Sequence, residues 1–293
     1  MRDLLDRVCA AIEAATGQPF DARDARAAHG GDISAAHVLG DGTRRFFLKT
    51  QPAERLDMFE AEAAGLAELE AAGAVRVPRV IGHGTAAGQA WLVLEALPLG
   101  SRGDAAELGR RLAQQHRVTA AQFGWHRDNW IGSTSQPNAW MDDWIAFWRE
   151  RRLGFQLRLA ERNGFGGALQ RDGAMLLDRL DGLFVGYRPL PSLLHGDLWG
   201  GNHGYLEDGM PAIFDPAVYF GDRECDLAMT ELFGGFAPAL QSAYREAWPL
   251  DPGYATRRTL YNLYHVLNHA NMFGGGYAGQ AQRMTRDLLA QLG

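Results

Sequence analysis

The residues best suited to chemistry lie in one short stretch. It reads Leu193-Leu194-His195-Gly196-Asp197-Leu198-Trp199-Gly200-Gly201-Asn202 and is followed by Phe214-Asp215-Pro216. Phosphoryl transfer asks little covalent chemistry of a protein. It asks for an oriented hydroxyl, and for cations that meet the phosphate charge. A carboxylate on a tight loop, Asp197, can orient a hydroxyl and accept its proton. The side-chain amide of Asn202, five residues on, can curl back onto Mg²⁺. Mg²⁺ takes oxygen ligands and keeps several waters, so one amide and one carboxylate suffice. The carboxylate is Asp215, thirteen residues past Asn202. Gly196, Gly200 and Gly201 let the loop turn around these groups. A lone Asp in a glycine-rich loop is ordinarily a turn former, so the signal lies in the set and its spacing.

Several elements must position this set. Residues 4–15 are predicted to form a first helix that stops near Gly17. Ala35–Leu39 and Arg45–Lys49 flank Asp41-Gly42, a hairpin signal in which both turn positions favour positive φ. Phe47 and Lys49 then share one face of the strand. Helical spacing of Phe59, Ala63, Leu66 and Leu69 predicts a helix over 53–72, with Gly73 as its stop. The run AWLVL at 90–94 reads as a buried strand, and Pro98 and Gly100 make 95–103 a linker. Beyond it, 104–117 and 139–162 are predicted helical. The second carries Trp140, Trp144, Phe147 and Trp148, a stripe of the kind that builds a core. SLLH and AIFD, between Ser192 and Asp215, are predicted to bracket a β-loop-β unit. After 222 the chain is helical apart from the Gly274–Gly276 turn.

The bulk composition excludes several classes. The chain has 293 residues, 46% hydrophobic and 22% charged, with a formal net charge of −6. That suits a globular protein able to bury a core, and it carries no electrostatic footprint for nucleic acid. The two cysteines, Cys9 and Cys225, make neither a metal cluster nor a disulfide framework and are expected as free thiols. No run is long and apolar enough for a membrane span. The N-terminus reads as an amphipathic helix, not a signal peptide. The expected location is the cytoplasm, with no membrane or nucleic-acid partner.

LLHGDLWGGN followed by DP resembles the aminoglycoside phosphotransferase and choline kinase superfamily. Within it the chain is similar to the fructosamine kinases, also called ketosamine-3-kinases. The resemblance runs through GGDIS at 30–34, FFLK at 46–49, MFEAEAAGL at 58–66 and FGWHRDNWIG at 123–132. It continues through DPAVYFGDRECDLAMTELFGGF at 215–236 and NHANMFGGGYAGQ at 268–280. It implies an α+β, protein-kinase-like bilobal fold: a small N-terminal ATP-binding lobe at 1–97, with an antiparallel sheet and one helix, and a larger, mostly helical lobe at 98–293.

The resemblance also assigns roles. Lys49 matches the strand lysine that holds the α- and β-phosphates. Glu62 matches its helix carboxylate, with Glu60 as the competitor. The two acids lie roughly 200° apart around a helix, so only one can face Lys49. Gly30, Gly31 and Ser34 match the loop over the phosphates. Glu95 and Leu97 match the hinge whose backbone meets adenine. Asp226 is expected to steady the catalytic loop and His195 to be buried against it. Trp199 can pack its indole on a sugar ring, and His126 and Asn268 are further acceptor candidates. The implied activity is ATP- and Mg²⁺-dependent phosphorylation of the 3-hydroxyl of a free or protein-bound ketosamine, a deglycation step, by a monomer. The alternatives are another small-molecule kinase of the same fold, acting on an aminoglycoside, choline or a sugar, or a nucleotide-binding pseudokinase. Cationic acceptors of that kind need acidic lining, for which Asp222, Glu224 and Glu231 are available.

Overall fold

In the computed structural model, which describes residues 2–28 and 34–293, the first element is α1 (Arg2–Thr16). Leu4, Val8 and Ile12 recur every fourth residue, so they fall on one face, and all three are buried. They pack with Phe20, Leu39, Phe46, Leu48, Trp91 and Val93 as one apolar cluster. Burying side chains of this size stabilises by about 1.5–3 kcal/mol each. Gly17, at φ 68°, ends the helix.

The strands β1 (Asp24–Ala27), β2 (Ala35–Gly40), β3 (Arg45–Pro52), β4 (Val80–Ala86) and β5 (Gln89–Glu95) form an antiparallel sheet of order β1-β2-β3-β5-β4. The hairpin between β2 and β3 does occur, but not through a two-residue turn. Only Gly42 has positive φ. The Asp41 carboxylate instead accepts from the Thr43 and Arg44 amides at 2.9 and 2.7 Å, which widens the loop to four residues. Along β3, Phe46 and Leu48 enter the apolar cluster while Lys49 is turned to the other face. The helix predicted at 53–72 is a short 3₁₀ turn followed by α2 (Leu56–Ala72), closed by Gly73 at φ 63°.

Contacts divide the chain into two compact units. The first is Met1–Asp104 with Gly201–Pro216, and the second is Ala105–Gly200 with Ala217–Gly293. The linker after β5 contains a short strand, β6 (Leu99–Gly100), which pairs with β10 (His203–Leu206). β10 in turn pairs with β11 (Pro211–Ile213). Asn202 and Asp215, at the two ends of this hairpin, therefore belong to the first unit together with Lys49.

The second unit begins with α3 (Ala105–His116), followed by the hairpin β7 (Asn129–Ile131) and β8 (Thr134–Gln136). The helix expected from 139 starts only at Trp144. It runs as α4 (Trp144–Phe147), a π-helical stretch over Trp148–Leu153, and α5 (Gly154–Arg162). Asp143 caps it by accepting from the Ala146 amide at 2.7 Å. Trp144, Phe147 and Trp148 are core, whereas Trp140 lies before the cap and is exposed. Next come α6 (Ala168–Asp178) and β9 (Ser192–Leu194), which pairs with β12 (Tyr219–Gly221). The expected β-loop-β unit over 192–215 is thus two pairings, β9 with β12 and β10 with β11. Four helices finish the unit: α7 (Glu224–Leu232), α8 (Pro238–Ala247), α9 (Tyr254–Phe273) and α10 (Gly276–Gln291). α3 crosses α8 at Gly109, where any Cβ would strike the Leu240 carbonyl. Both cysteines are free thiols. Among the described residues no helix is long and apolar enough to cross a membrane.

Candidate active site

Lys49 is 5% exposed, and its ammonium donates to Glu62 Oε1 at 2.7 Å and to Asp215 Oδ1 at 2.8 Å. β3 supplies the lysine, α2 the glutamate and the end of β11 the aspartate. Of the two helix acids it is Glu62 that meets Lys49. Burial pulls the ammonium down, but the Asp215 and Glu62 carboxylates outweigh it and hold Lys49 above its ordinary value. Burial also pushes Glu62 up, against the pull of Lys49. The ammonium is thereby fixed in place between two elements before any further anion arrives.

Asn202 lies beside Asp215. Its Nδ2 donates to the Asp215 carbonyl at 3.4 Å, and the Asn202 carbonyl accepts from the Phe214 amide at 3.1 Å. Among the described residues there is no cluster of three His, Cys, Asp or Glu side chains able to hold a metal. Asn202 and Asp215 offer oxygen donors alone, and only two of them. Such a pair fits a hard cation that shares its shell with water and phosphate.

In the second unit, Asp226 sits behind the loop over 195–200. Its carboxylate accepts from the His195 amide at 2.7 Å, the Gly196 amide at 2.8 Å and His116 Nε2 at 3.2 Å. Burial works to raise this carboxyl, but the His116 contact and the loop amides outweigh it, so Asp226 stays below the usual range. His195 is fully buried. Its Nδ1 accepts from the Asp197 amide at 3.2 Å, which sets the turn that presents Asp197. Behind it, His116 Nδ1 meets the Tyr244 hydroxyl at 2.8 Å. His116 lies in α3, 79 residues before His195, and no local motif marks it.

The remaining candidates separate. Ser34 Oγ accepts from Gln51 Nε2 at 2.9 Å. Gly30 and Gly31 lie outside the described residues. The Glu95 carboxylate takes both Arg76 and Arg79 and its amide donates to the Arg79 carbonyl at 2.9 Å, so its side chain is engaged. The Leu97 carbonyl accepts from the Leu99 amide at 3.0 Å. Trp199, on the loop over 195–200, is 40% exposed, and His126 is also exposed. Asn268 is buried, donating to the Ile131 carbonyl at 3.2 Å and accepting from Gln156 at 3.1 Å, so it packs α9 against its surroundings. The acids at 222, 224 and 231 do not form an open acidic patch. Asp222 and Glu224 are fully buried, and Glu231 is paired with Arg258 and the Tyr254 hydroxyl.

The family model described as fructosamine kinase matches residues 4–291. A protein of Synechocystis named as a probable ketoamine kinase is 48% identical over 282 residues, covering 95% of this chain and 94% of its own. Among solved structures, a candidate fructosamine-3-kinase from Haemophilus somnus superposes with a TM-score of 0.89 at 28% identity, covering 98% of this chain and 100% of its own. A thermostable mutant of an aminoglycoside phosphotransferase gives a TM-score of 0.62 at 15% identity, covering 97% and 98%; that likeness shows the kinase-like α+β fold alone.

Proposed function

Because the chain belongs to the fructosamine kinase family, we propose that it transfers the γ-phosphoryl group of ATP to the 3-hydroxyl of a ketosamine, the adduct of a sugar with an amine. The observation that carries this reading is the Lys49 ammonium held between Glu62 and Asp215. Lys49 draws the α- and β-phosphates, and Glu62 keeps it in place from α2. Asn202 and Asp215 would hold Mg²⁺, which when bound would neutralise phosphate charge. Asp197 orients the acceptor hydroxyl and takes its proton late in the transfer, on a loop fixed from behind by Asp226. The exposed Trp199 indole offers a face for the sugar ring, and exposed His126 adds a polar edge. The backbone of 95–97 receives adenine, and Gly30, Gly31 and Ser34 cover the phosphates. The 3-phosphate of a ketosamine is prone to elimination, which frees the amine; the activity is a deglycation step carried out by a monomer in the cytoplasm.

The test is ATP turnover by purified protein with Mg²⁺ and a panel: a fructosamine, a ribulosamine, an aminoglycoside, choline and free hexoses. Turnover is expected on the ketosamines. Turnover confined to the aminoglycoside or choline would move the acceptor to another class, and turnover on none would favour a pseudokinase.

A further inference from the structure

Asp215 has φ 57° and, with Ala87, is one of two non-glycine residues of positive φ among those described. The left-handed region costs an ordinary residue about 1–2 kcal/mol. It persists only where the surroundings over-determine it. Before Asp215 the backbone is held by its own hairpin, through the Phe214 amide on the Asn202 carbonyl at 3.1 Å, and by the segment between α2 and β4, through the Ile213 amide on the Arg76 carbonyl at 2.9 Å.

After Asp215 the restraint is of a different kind. The ladder of β12 with β9 begins at Tyr219, so Ala217 and Val218 lie ahead of it. Side-chain amides take the place of strand N–H groups there. Gln136 Nε2 donates to the Ala217 carbonyl at 3.1 Å, and Asn129 Nδ2 to the Val218 carbonyl at 2.7 Å. The Ala217 amide donates to the His195 carbonyl at 2.9 Å. Gly196 closes the cage, because a Cβ there would overlap the Ala217 oxygen.

The two amides are themselves fixed. Asn129 and Gln136 face each other across the β7–β8 register and are 4% and 0% exposed. Asn129 Oδ1 accepts from Gln136 and from Asn138, each at 2.8 Å. Asn138 Oδ1 accepts from Arg152 at 2.6 Å, and Gln136 Oε1 from the Tyr264 hydroxyl at 2.8 Å. The Arg152 guanidinium is fully buried over the rings of Tyr219, at 4.0 Å, and Phe147, at 4.6 Å. Apart from Arg152 Nε, which has no hydrogen-bond partner among the described residues, the amides of this network are paired, and pairing this deep holds them rigid.

We propose that Gln136 and Asn129 are positioning residues for the metal-binding carboxylate. By gripping the Ala217 and Val218 carbonyls they fix the chain that leaves Asp215-Pro216, and so keep Asp215 in its left-handed conformation. The inference rests on the kinase reading above, in which Asp215 holds the divalent cation. Groups that orient a metal ligand commonly change metal affinity by about 10–100-fold when removed.

The experiment compares wild type, Gln136→Met and Tyr264→Phe. Gln136→Met keeps side-chain length and deletes both donors; Tyr264→Phe deletes only the hydroxyl on Gln136 Oε1. The readout is the thermal shift produced by ADP over a Mg²⁺ titration, with the ADP shift in EDTA measured alongside. Gln136→Met is expected to raise the Mg²⁺ concentration for half-maximal response about tenfold. Tyr264→Phe is expected to raise it about threefold, a fraction of the same effect. The EDTA response stays unchanged, which a general loosening of the fold would not allow. If Gln136→Met does not fold, Tyr264→Phe carries the test. A Mg²⁺ response within about twofold of wild type in every folded variant overturns the proposal. A wild type whose ADP shift ignores Mg²⁺ overturns the kinase reading and this inference with it.

Discussion

Two buried charge clusters in this molecule look alike in composition and differ in backbone strain. In the first unit, Lys49 is shared by Glu62 and Asp215, whose side chains remain 14% and 29% exposed, and Asp215 sits in a strained backbone conformation. In the second unit, Arg257 is bidentate on Glu224 at 2.8 and 3.0 Å and also meets Asp251 at 2.8 Å. Beside it the Asp222 carboxylate accepts from Tyr261, Tyr187 and the Glu224 amide. The Tyr187 ring lies 3.8 Å from the guanidinium. The second cluster is saturated with partners made by its own chain. The first holds a strained residue, Asp215, among its carboxylates; their exposure is no greater than that of Asp251, 31%, at the rim of the second. Charge burial alone therefore does not single out a candidate site; local backbone strain is what separates the two clusters.

If this contrast holds, substitutions on the two sides fail in different ways. The largest effect is expected at Asp197. Asp197→Ala removes the proposed base and lowers kcat by about 10³-fold, while thermal unfolding matches wild type. Next is Lys49→Arg, which keeps the charge between both carboxylates but loses the compact ammonium. A fall in kcat/KM for ATP of about 10²-fold is expected, with Tm within about 3 °C of wild type. Arg257→Met should do the reverse. It leaves Glu224 buried without its partner and costs about 3–5 kcal/mol in denaturant unfolding, while KM for ATP per folded molecule is unchanged. A kinetic defect in Arg257→Met, or an unfolding defect in Lys49→Arg, would break the comparison.

The smallest effect concerns pH. Burial, with His269 nearby, lowers His265 from 6.5 to about 3. The folded protein therefore binds fewer protons at this site than the unfolded chain between those values. The stability His265 provides is complete above pH 6.5 and declines as pH falls toward 3. The His265 contribution to unfolding free energy should fall by about 2 kcal/mol from pH 7.5 to pH 5, read as the difference between the wild-type and His265→Gln profiles, because Glu224, raised to about 7 by burial, works in the opposite sense. His265→Gln should flatten the profile, and an unchanged slope in that variant would remove the assignment.

Much of the Lys49 cluster was legible because its parts are local or rigid. Lys49 follows from a strand whose apolar residues, Phe46 and Leu48, commit the other face. The helix angle prevents Glu60 and Glu62 from facing the same way, and the resemblance, not the angle, favours Glu62. Asp197, Asn202 and Asp215 share one stretch of chain. The fold class was legible for a similar reason: hairpin, helix and buried strand each announce themselves by period. What was hidden is long-range. The partners of Asp226 and of the Ala217 carbonyl, His116 and Gln136, come from elements 110 and 81 residues away, and neither residue type signals its destination. Asn129 stood inside a quoted motif, yet only the β7–β8 register reveals that it faces Gln136. Trp140 was misread because helical spacing continues past the Asp143 cap, which stops the helix at Trp144. SLLH and AIFD were misread because adjacency in sequence does not decide strand pairing.

The central claim is the transfer itself, and phosphorus NMR tests it most directly. Wild-type protein is incubated with ATP, Mg²⁺ and fructosyl-lysine. The account predicts a new phosphate ester coupled to the proton on sugar carbon 3, which decays while free lysine appears in equal amount. A stable ester at another hydroxyl, or release of inorganic phosphate with the sugar unchanged, would contradict it.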